Sequence, residues 1–213
     1  MARVLILGAG IAGHTAALHA KKQLGKGHEI VVVTPNSNWN WIPSNIWVGV
    51  GKMNADQVTF PLAPVYAKKG ITFHQALAQE IHPEGDATTS SGFVRVTYTD
   101  AEKKGQVANI EYDYLVNATG PKLNFAATPG LGPDGHTVSV CTYGHATEAA
   151  KSLQEVIAVM KSGKRQALAI GVGHGTCTCE GAAFEYTFNV EHELRVAGVR
   201  DLADITYLSL IHI

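Results

Sequence analysis

The sequence predicts an α/β fold in which one strand–helix–strand unit is extended by an antiparallel meander and a second such unit opens late in the chain. Three observations carry this. The chain starts "RVLIL", "GAGIAG", "HTAALHAKKQL", "HEIVVVT", which reads as strand, glycine turn, helix and strand. Residues 71–116 then read as consecutive strands, with period-two alternation in "FVRVTY" and a turn at "EKKG". Finally "QALAIGVG" repeats the strand and glycine turn, ahead of a helical stretch and the strand "DITYL".

Between these markers each segment has its own reading. The stretch "PNSNWNWIPSNIWVGVGKMN" is too rich in Pro, Asn, Gly and Trp for a regular element and is expected to be a long irregular loop, a kind of segment that often carries function. Gly92 and Gly105 bracket the inserted meander, and "YLVNAT" is an apolar strand after it. Residues 144–161 place Ala, Leu, Val and Ile at helical spacing, and the last helix is expected over 181–197. The boundaries that follow are a first dinucleotide-type domain over 1–128 with its meander at about 71–112, a linker and helix over 129–163, and the start of a second dinucleotide-type domain over 164–213. A second unit of this type needs more strands than remain, so the chain is expected to be a fragment of a longer protein. The tail "LSLIHI" resembles translated adapter sequence, and Ser209–Ile213 are kept out of the functional reading.

Composition narrows the function classes. The 213 residues include 17 basic and 18 acidic side chains, a balance that offers no electrostatic grip on nucleic acid or an anionic membrane. No signal-peptide pattern precedes the first strand, and no apolar run approaches the roughly 20 residues that span a bilayer, so a cytoplasmic location is expected. Three cysteines, Cys141, Cys177 and Cys179, do not suggest a disulfide framework, which leaves reactive thiols or metal ligands.

The first glycine turn is G-x-G-x-x-G, placed directly between a strand and a helix. Gly8 permits the tight turn, Gly10 lets backbone approach a pyrophosphate, and Gly13 lets helix and strand pack closely, while the helix N-terminus favours the phosphate charge. The alternative is a glycine-rich turn with no ligand. Where an acidic residue would hold a ribose at the end of the second strand, the chain has Thr34, Pro35 and Asn36, so Thr34 and Asn36 are the expected ribose contacts.

The strand end Ala118-Thr119-Gly120 in "YDYLVNATGPKL" resembles the second FAD-contacting motif of the two-dinucleotide-binding-domain flavoproteins, which include glutathione reductase, type II NADH dehydrogenases and sulfide:quinone oxidoreductases. The resemblance implies an FAD-binding Rossmann-like domain with an inserted antiparallel β-meander, followed by the start of a second Rossmann-like domain. It implies FAD as cofactor, with Ala118, Thr119 and Gly120 at the flavin motif and Ala78 at the adenine. Lys122, next to the motif, either stabilises anionic reduced flavin or caps backbone.

The second glycine turn departs from the nicotinamide-binding pattern. Gly171, Gly173 and Gly175 are present, but Thr176 takes the place of the last glycine, and no acidic residue ends the next strand at "TYLS". Cys179 stands where the following helix begins, a place where the helix dipole lends a thiol thiolate character. "CEGAAFEY", "SVCTYGHATEA" around Cys141, and "IPSNIWVGVG" with Pro43, Ser44 and Asn45 resemble sulfide:quinone oxidoreductases and the flavoprotein subunit of flavocytochrome c sulfide dehydrogenase. That resemblance implies three working cysteines: Cys179 in a redox-active bridge, Cys141 near the flavin edge, and a bridge partner later in the family's chain. It also implies Pro43, Ser44 and Asn45 among the cofactor-binding residues. Hydrosulfide would open the bridge by thiol–disulfide exchange and leave a persulfide on one cysteine, while two electrons pass to the flavin and then to a quinone. Glu185 is a candidate proton acceptor, with a solvated helix carboxylate as the alternative. Cys177 has no role that the resemblance supplies.

Other readings stay beside this one. His174 with two cysteines suggests a metal site, but C-x-C lacks the usual ligand spacing. Trp39, Trp41 and Trp47 fit a quinone or flavin lid as well as a loop packed on its own aromatics. The ten histidines are scattered, and most read as ordinary surface or helix residues. The function hypotheses are sulfide oxidation with a quinone acceptor, a type II NADH dehydrogenase, and a flavin-binding scaffold without turnover. For the first, the resemblance implies sulfide and quinone as partners, the cytoplasmic side of a membrane whose surface is reached through a later part of the chain, no nucleic acid, and scope for a homo-oligomer. Residues 1–213 alone are expected to lack turnover.

Overall fold

The structure is a computed structural model that describes residues 1–173 and 179–209. In chain order its elements are β1 (Arg3–Leu7), α1 (Ile11–Leu24), β2 (Glu29–Thr34), β3 (Asn38–Asn40), α2 (Asn45–Gly49), α3 (Ala55–Val58), β4 (Thr59–Pro61), α4 (Leu62–Lys69) and β5 (Thr72–His82). They continue with β6 (Phe93–Tyr98), β7 (Val107–Glu111), β8 (Tyr114–Asn117), α5 (Tyr143–Lys161), β9 (Gln166–Gly171), α6 (Glu180–Val196) and β10 (Ala203–Leu208).

One compact unit comprises Met1–Trp39 and Phe60–Lys122. Its six-stranded sheet has the order β7-β6-β5-β2-β1-β8, with β5, β2, β1 and β8 parallel and the β5-β6-β7 meander antiparallel. The sequences "RVLIL" and "EIVVVT" are almost unbroken apolar runs because both faces of these central strands are covered. Ile6, Ile30 and Val32 pack on one face with Ala17, Leu62, Tyr66 and Ile71. Leu5, Leu7, Val31 and Val33 pack on the other with Ala76, Val94 and Val96, the alternation that a period of two requires. Each such side chain contributes about 1.5–3 kcal/mol by leaving water. Helix α4 was not foreseen, although its stop signal is plain: Gly70, at φ +63°, ends it in the left-handed conformation, after Lys68 and Lys69 in the last turn.

The other unit comprises Asn40–Thr59 and Leu123–Ile213. Strands β9 and β10 are parallel and in register, with α6 as the crossover, so the second strand–helix–strand motif has the form expected. Helix α5 buries Ala146, Ala149, Leu153, Ile157 and Met160, a stripe at helical spacing. Leu153, Ile157 and Met160 join Val190 and Leu194 of α6 and Val50 in one core.

Two expectations change. The segment expected to be irregular contains β3 and the one-turn helix α2, with Ile46 and Val48 buried, and its last residue, Asn54, forms a capping box with Gln57 at the start of α3. The compact units are also discontinuous, where the sequence suggested contiguous boundaries at 128 and 163. Val48 and Val58 pack with Ala146, which draws residues 40–59 into the unit that contains α5.

Candidate functional site

In the first unit the glycine turn has three different local environments. Gly8 sits at φ +91°, its N–H donates to the Val33 carbonyl at 2.7 Å, and a Cβ there would run into the Ala118 carbonyl oxygen. A Cβ on Gly13 would strike the Gly8 carbonyl oxygen and meet the Ala118 Cβ at 3.3 Å. Gly10 differs: nothing lies within 4 Å of the point where its Cβ would be. Two glycines are thus demanded by protein packing, and the third leaves an open approach at the N-cap of α1. That helix has no side-chain cap and no acidic residue in its first turn, so its free N–H groups and dipole suit an anion. These residues fit the pyrophosphate of a dinucleotide.

At the neighbouring strand end, the Ala118 N–H donates to the Leu7 carbonyl at 2.8 Å, extending the β1–β8 pairing by one residue. The Thr119 hydroxyl and N–H both donate to Asn117 Oδ1, at 2.9 and 3.3 Å, and Gly120 follows at φ +70°. Lys122 is exposed. Of the two expected ribose contacts, Asn36 is exposed and Thr34 is only 3% exposed. Ala78 is half-buried, next to a bulge where the β5–β6 register shifts between Ala78 and Glu80.

His14, the residue after the last motif glycine, is a buried residue of helix α1. Its Nδ1 shares a hydrogen bond of 3.0 Å with the Tyr66 hydroxyl of α4, and the rings of Trp39 and Phe60 lie at 5.9 and 5.6 Å. Burial pushes the His14 pKa down and the Tyr66 pKa up to about 12, so both partners are neutral over the physiological range. Trp39 stacks on Phe60 at 4.9 Å, the packed-loop alternative for that residue, while Trp41 and Trp47 are exposed.

In the second unit Cys179 is exposed, free, and the N-cap residue of α6. Cys141 is also exposed and free, two residues before α5; its N–H donates to Ser139 Oγ at 3.1 Å. Thr142 caps α5 by accepting from the His145 N–H at 3.2 Å. Reading by motif passed over His145: its Nδ1 is buried and has no hydrogen-bond partner among the described residues. Glu185 is exposed on α6, six residues after Cys179. Pro43 is exposed and Ser44 half-buried. Asn45 is wholly buried and exchanges amide hydrogen bonds with Asn40 at 2.9 and 3.1 Å, so it fastens the segment internally and its amide is not free for a cofactor.

At the second glycine turn, a Cβ on Gly171 would strike the Leu208 carbonyl oxygen, and one on Gly173 would stand 2.7 Å from Leu131. Thr128 Oγ1 donates to the Gly173 carbonyl at 3.1 Å. The expectations for His174, Gly175, Thr176 and Cys177 lie outside the described residues. Among the described residues there is no cluster of His, Cys, Asp and Glu that could hold a metal ion, and no helix long and apolar enough to cross a membrane.

The chain is 30% identical over 206 residues to the sulfide-quinone reductase of Aquifex aeolicus (strain VF5), a match that covers 97% of this chain and 42% of that protein. It superposes on the X-ray structure of the sulfide:quinone oxidoreductase from Aquifex aeolicus with TM-score 0.76 at 28% identity, over 97% of this chain and 43% of the other. NDH2 from Plasmodium falciparum, at 17% identity and TM-score 0.70 over 97% of this chain and 41% of its own, shares the fold. The chain therefore spans less than half the length of these relatives. Residues 2–199, nearly all of the sequence, match the family described as pyridine nucleotide-disulphide oxidoreductase. With the Rossmann-like α/β fold and an open dinucleotide turn already in place, the chain belongs to the pyridine nucleotide-disulphide oxidoreductase family.

Proposed function

We propose that the protein this chain belongs to oxidises sulfide to sulfur or polysulfide and passes the electrons through FAD to a quinone. The observation that carries the reading is Cys179, a free and exposed thiol at the start of the helix that follows the second glycine turn. Similarity to the Aquifex aeolicus sulfide-quinone reductase over 97% of the chain supports it. Bound FAD would supply a two-electron acceptor. The chain's own residues hold and orient it: the Gly8–Gly13 turn and α1 take the pyrophosphate, Asn36 the ribose, Ala78 the adenine, and Ala118, Thr119 and Gly120 the flavin side. Lys122 would offset the charge of the reduced ring, and Pro43 and Ser44 would line it. Cys179 forms one half of the sulfide-accepting bridge, Cys141 works at the flavin edge, and Glu185 takes up the proton of hydrosulfide from the solvent side. Quinone, a membrane surface on the cytoplasmic side and a homo-oligomer are the partners of the whole protein under this reading.

The test uses the full-length protein. It should purify yellow with a flavin spectrum, and anaerobic sulfide should bleach it far faster than NADH. Bleaching by NADH at an equal rate would replace this reading with an NADH dehydrogenase; a yellow protein that neither donor bleaches would leave a flavin-binding scaffold.

A further inference from the structure

Three segments that carry candidate residues meet at the end of α2, all within the second unit. Gly49 is the last residue of α2, four residues after Asn45, and its carbonyl accepts a hydrogen bond from the Tyr186 hydroxyl at 3.2 Å. A methyl group on Gly49 would stand 2.7 Å from Val140 Cγ1 and 2.9 Å from Tyr186 Cε2, closer than carbon atoms pack. Both neighbours are themselves packed. Val140 packs against the core of Val48, Val58 and Ala146, and the Tyr186 ring packs on the core shared by α5 and α6. Burial pushes the Tyr186 phenol up to about 12, so it stays a neutral donor.

The neighbours in sequence give this junction its meaning. Val140 directly precedes Cys141. Tyr186 lies on α6, seven residues and about two turns after Cys179, the residue that caps that helix. Gly49 ends the segment that begins with Pro43 and Ser44. Any shift of α6 against α2 moves Cys179, and any shift of the 138–142 segment moves Cys141.

We infer that the Gly49–Val140–Tyr186 junction is a positioning device that sets the two thiols against each other and against the 43–49 segment, with Tyr186 as a positioning residue. The inference rests on the sulfide-oxidising reading. Thiol–disulfide exchange needs the attacking sulfur in line with the bond it breaks, and a misplacement of about 1 Å can cost about 100-fold in rate.

The test uses full-length, FAD-loaded protein carrying Gly49→Ala, Tyr186→Phe, or Gly49→Ala with Val140→Ala, which makes room for the added methyl. Stopped-flow bleaching is followed across sulfide concentrations. Gly49→Ala should lower the limiting rate about 10- to 100-fold while FAD content stays at parent level. Tyr186→Phe should lower it severalfold, and Val140→Ala should restore most of what Gly49→Ala loses. A second readout needs neither sulfide nor flavin: in the reduced protein, the ratio of Cys141 to Cys179 alkylation by iodoacetamide, read by peptide mass, should shift by more than about twofold in Gly49→Ala and return in the double variant. Variants that melt lower but keep the parent's limiting rate and labelling ratio overturn the inference and leave the functional reading standing. A parent that sulfide does not bleach brings down both. Should Gly49→Ala fail to fold, Tyr186→Phe decides alone, since it removes one hydroxyl and no packing atoms.

Discussion

The two glycine turns begin alike and part where the helix starts. After β1 the helix opens on Gly10, with open space beside it and no acidic side chain in the first turn. After β9 the helix opens on Cys179, and Glu180 brings a negative charge into the first turn. A dinucleotide pyrophosphate needs close backbone approach and the uncancelled positive end of a helix dipole; the first turn presents both, whereas Glu180 offsets the dipole of α6. The shared part of the pattern, Gly8 and Gly171, serves strand packing in each case: a Cβ on either would run into a carbonyl oxygen of another strand segment of the same unit. Glycine at such a turn is therefore evidence of packing first. Ligand binding is read from the glycine that nothing inside the protein requires.

The largest effect should come from the thiols that separate the two turns. In the full-length protein Cys179→Ser should nearly stop flavin reduction by sulfide, by about 1,000-fold or more, because a hydroxyl neither forms a persulfide nor leaves as a thiolate does. Cys141→Ser should keep FAD and lose activity only in part. Cys177→Ser should behave close to the parent. Stopped-flow bleaching orders the three, and a Cys177→Ser protein as inactive as Cys179→Ser would move the bridge thiol by two residues and break the comparison.

Next comes a separation of packing from binding in the first turn. Gly10→Val should leave the melting temperature close to the parent's, since the site has room, yet raise the FAD dissociation constant by at least about tenfold, or about 1.4 kcal/mol. Gly13→Ala should do the opposite and lower the melting temperature of the apoprotein, because its Cβ strikes the Gly8 carbonyl. Flavin titration and thermal melts on each variant read the two quantities. A Gly10→Val protein that binds FAD as the parent does would remove the cradle from the flavin site.

How much of this was legible follows from what kind of signal each feature leaves. The strand–turn–helix openings and the meander are written in local periodicity and glycine placement, which is why β1, α1, β2, β6 and β9 stand where the sequence puts them. The α2 segment was not legible, because a five-residue helix is held by long-range partners such as Tyr186 on Gly49 and by the Asn40–Asn45 pair, and neither has a sequence period. The burial of Asn45 was hidden for the same reason: a buried amide and an exposed one look identical in a string. The burial of Thr34 was hidden as well, because a residue at a strand end points in or out by a single register step.

A pH series probes the first turn from inside the fold. Burial holds the His14 pKa below its ordinary 6.5, and the groups around it are the Tyr66 hydroxyl and the rings of Trp39 and Phe60, with no carboxylate among these contacts. The unfolded chain then binds the proton more readily. The stability is fully present above the unfolded pKa and is lost as pH falls through it towards the lowered value. His14→Gln, which keeps a partner for Tyr66 and removes the titration, should flatten the decline in melting temperature between pH 7.5 and pH 5. Tyr66→Phe leaves the buried His14 Nδ1 without a partner and should cost about 1–3 kcal/mol at neutral pH. An acid limb as steep in His14→Gln as in the parent would assign it to other groups.

The smallest effect tests whether charge or shape keeps a dinucleotide from the second turn. Glu180 lies in the first turn of α6, where a carboxylate offsets the positive end of the dipole, and its Oε2 accepts a hydrogen bond from Ser209 at 3.1 Å. Glu180→Gln removes the charge and keeps an acceptor, so urea unfolding should show a loss of only about 0.3–1 kcal/mol. If electrostatic repulsion were the barrier, the same substitution would open the turn to a pyrophosphate, and NADH fluorescence titration would detect it. The packing predicts otherwise. Leu131 stands against Gly173, and Cys179 holds the N-cap position that glycine holds in the first turn, and neither changes when the charge is removed. Glu180→Gln should bind no more NADH than the parent. Tight NADH binding by that variant would mean that one charge alone keeps a dinucleotide from the second turn.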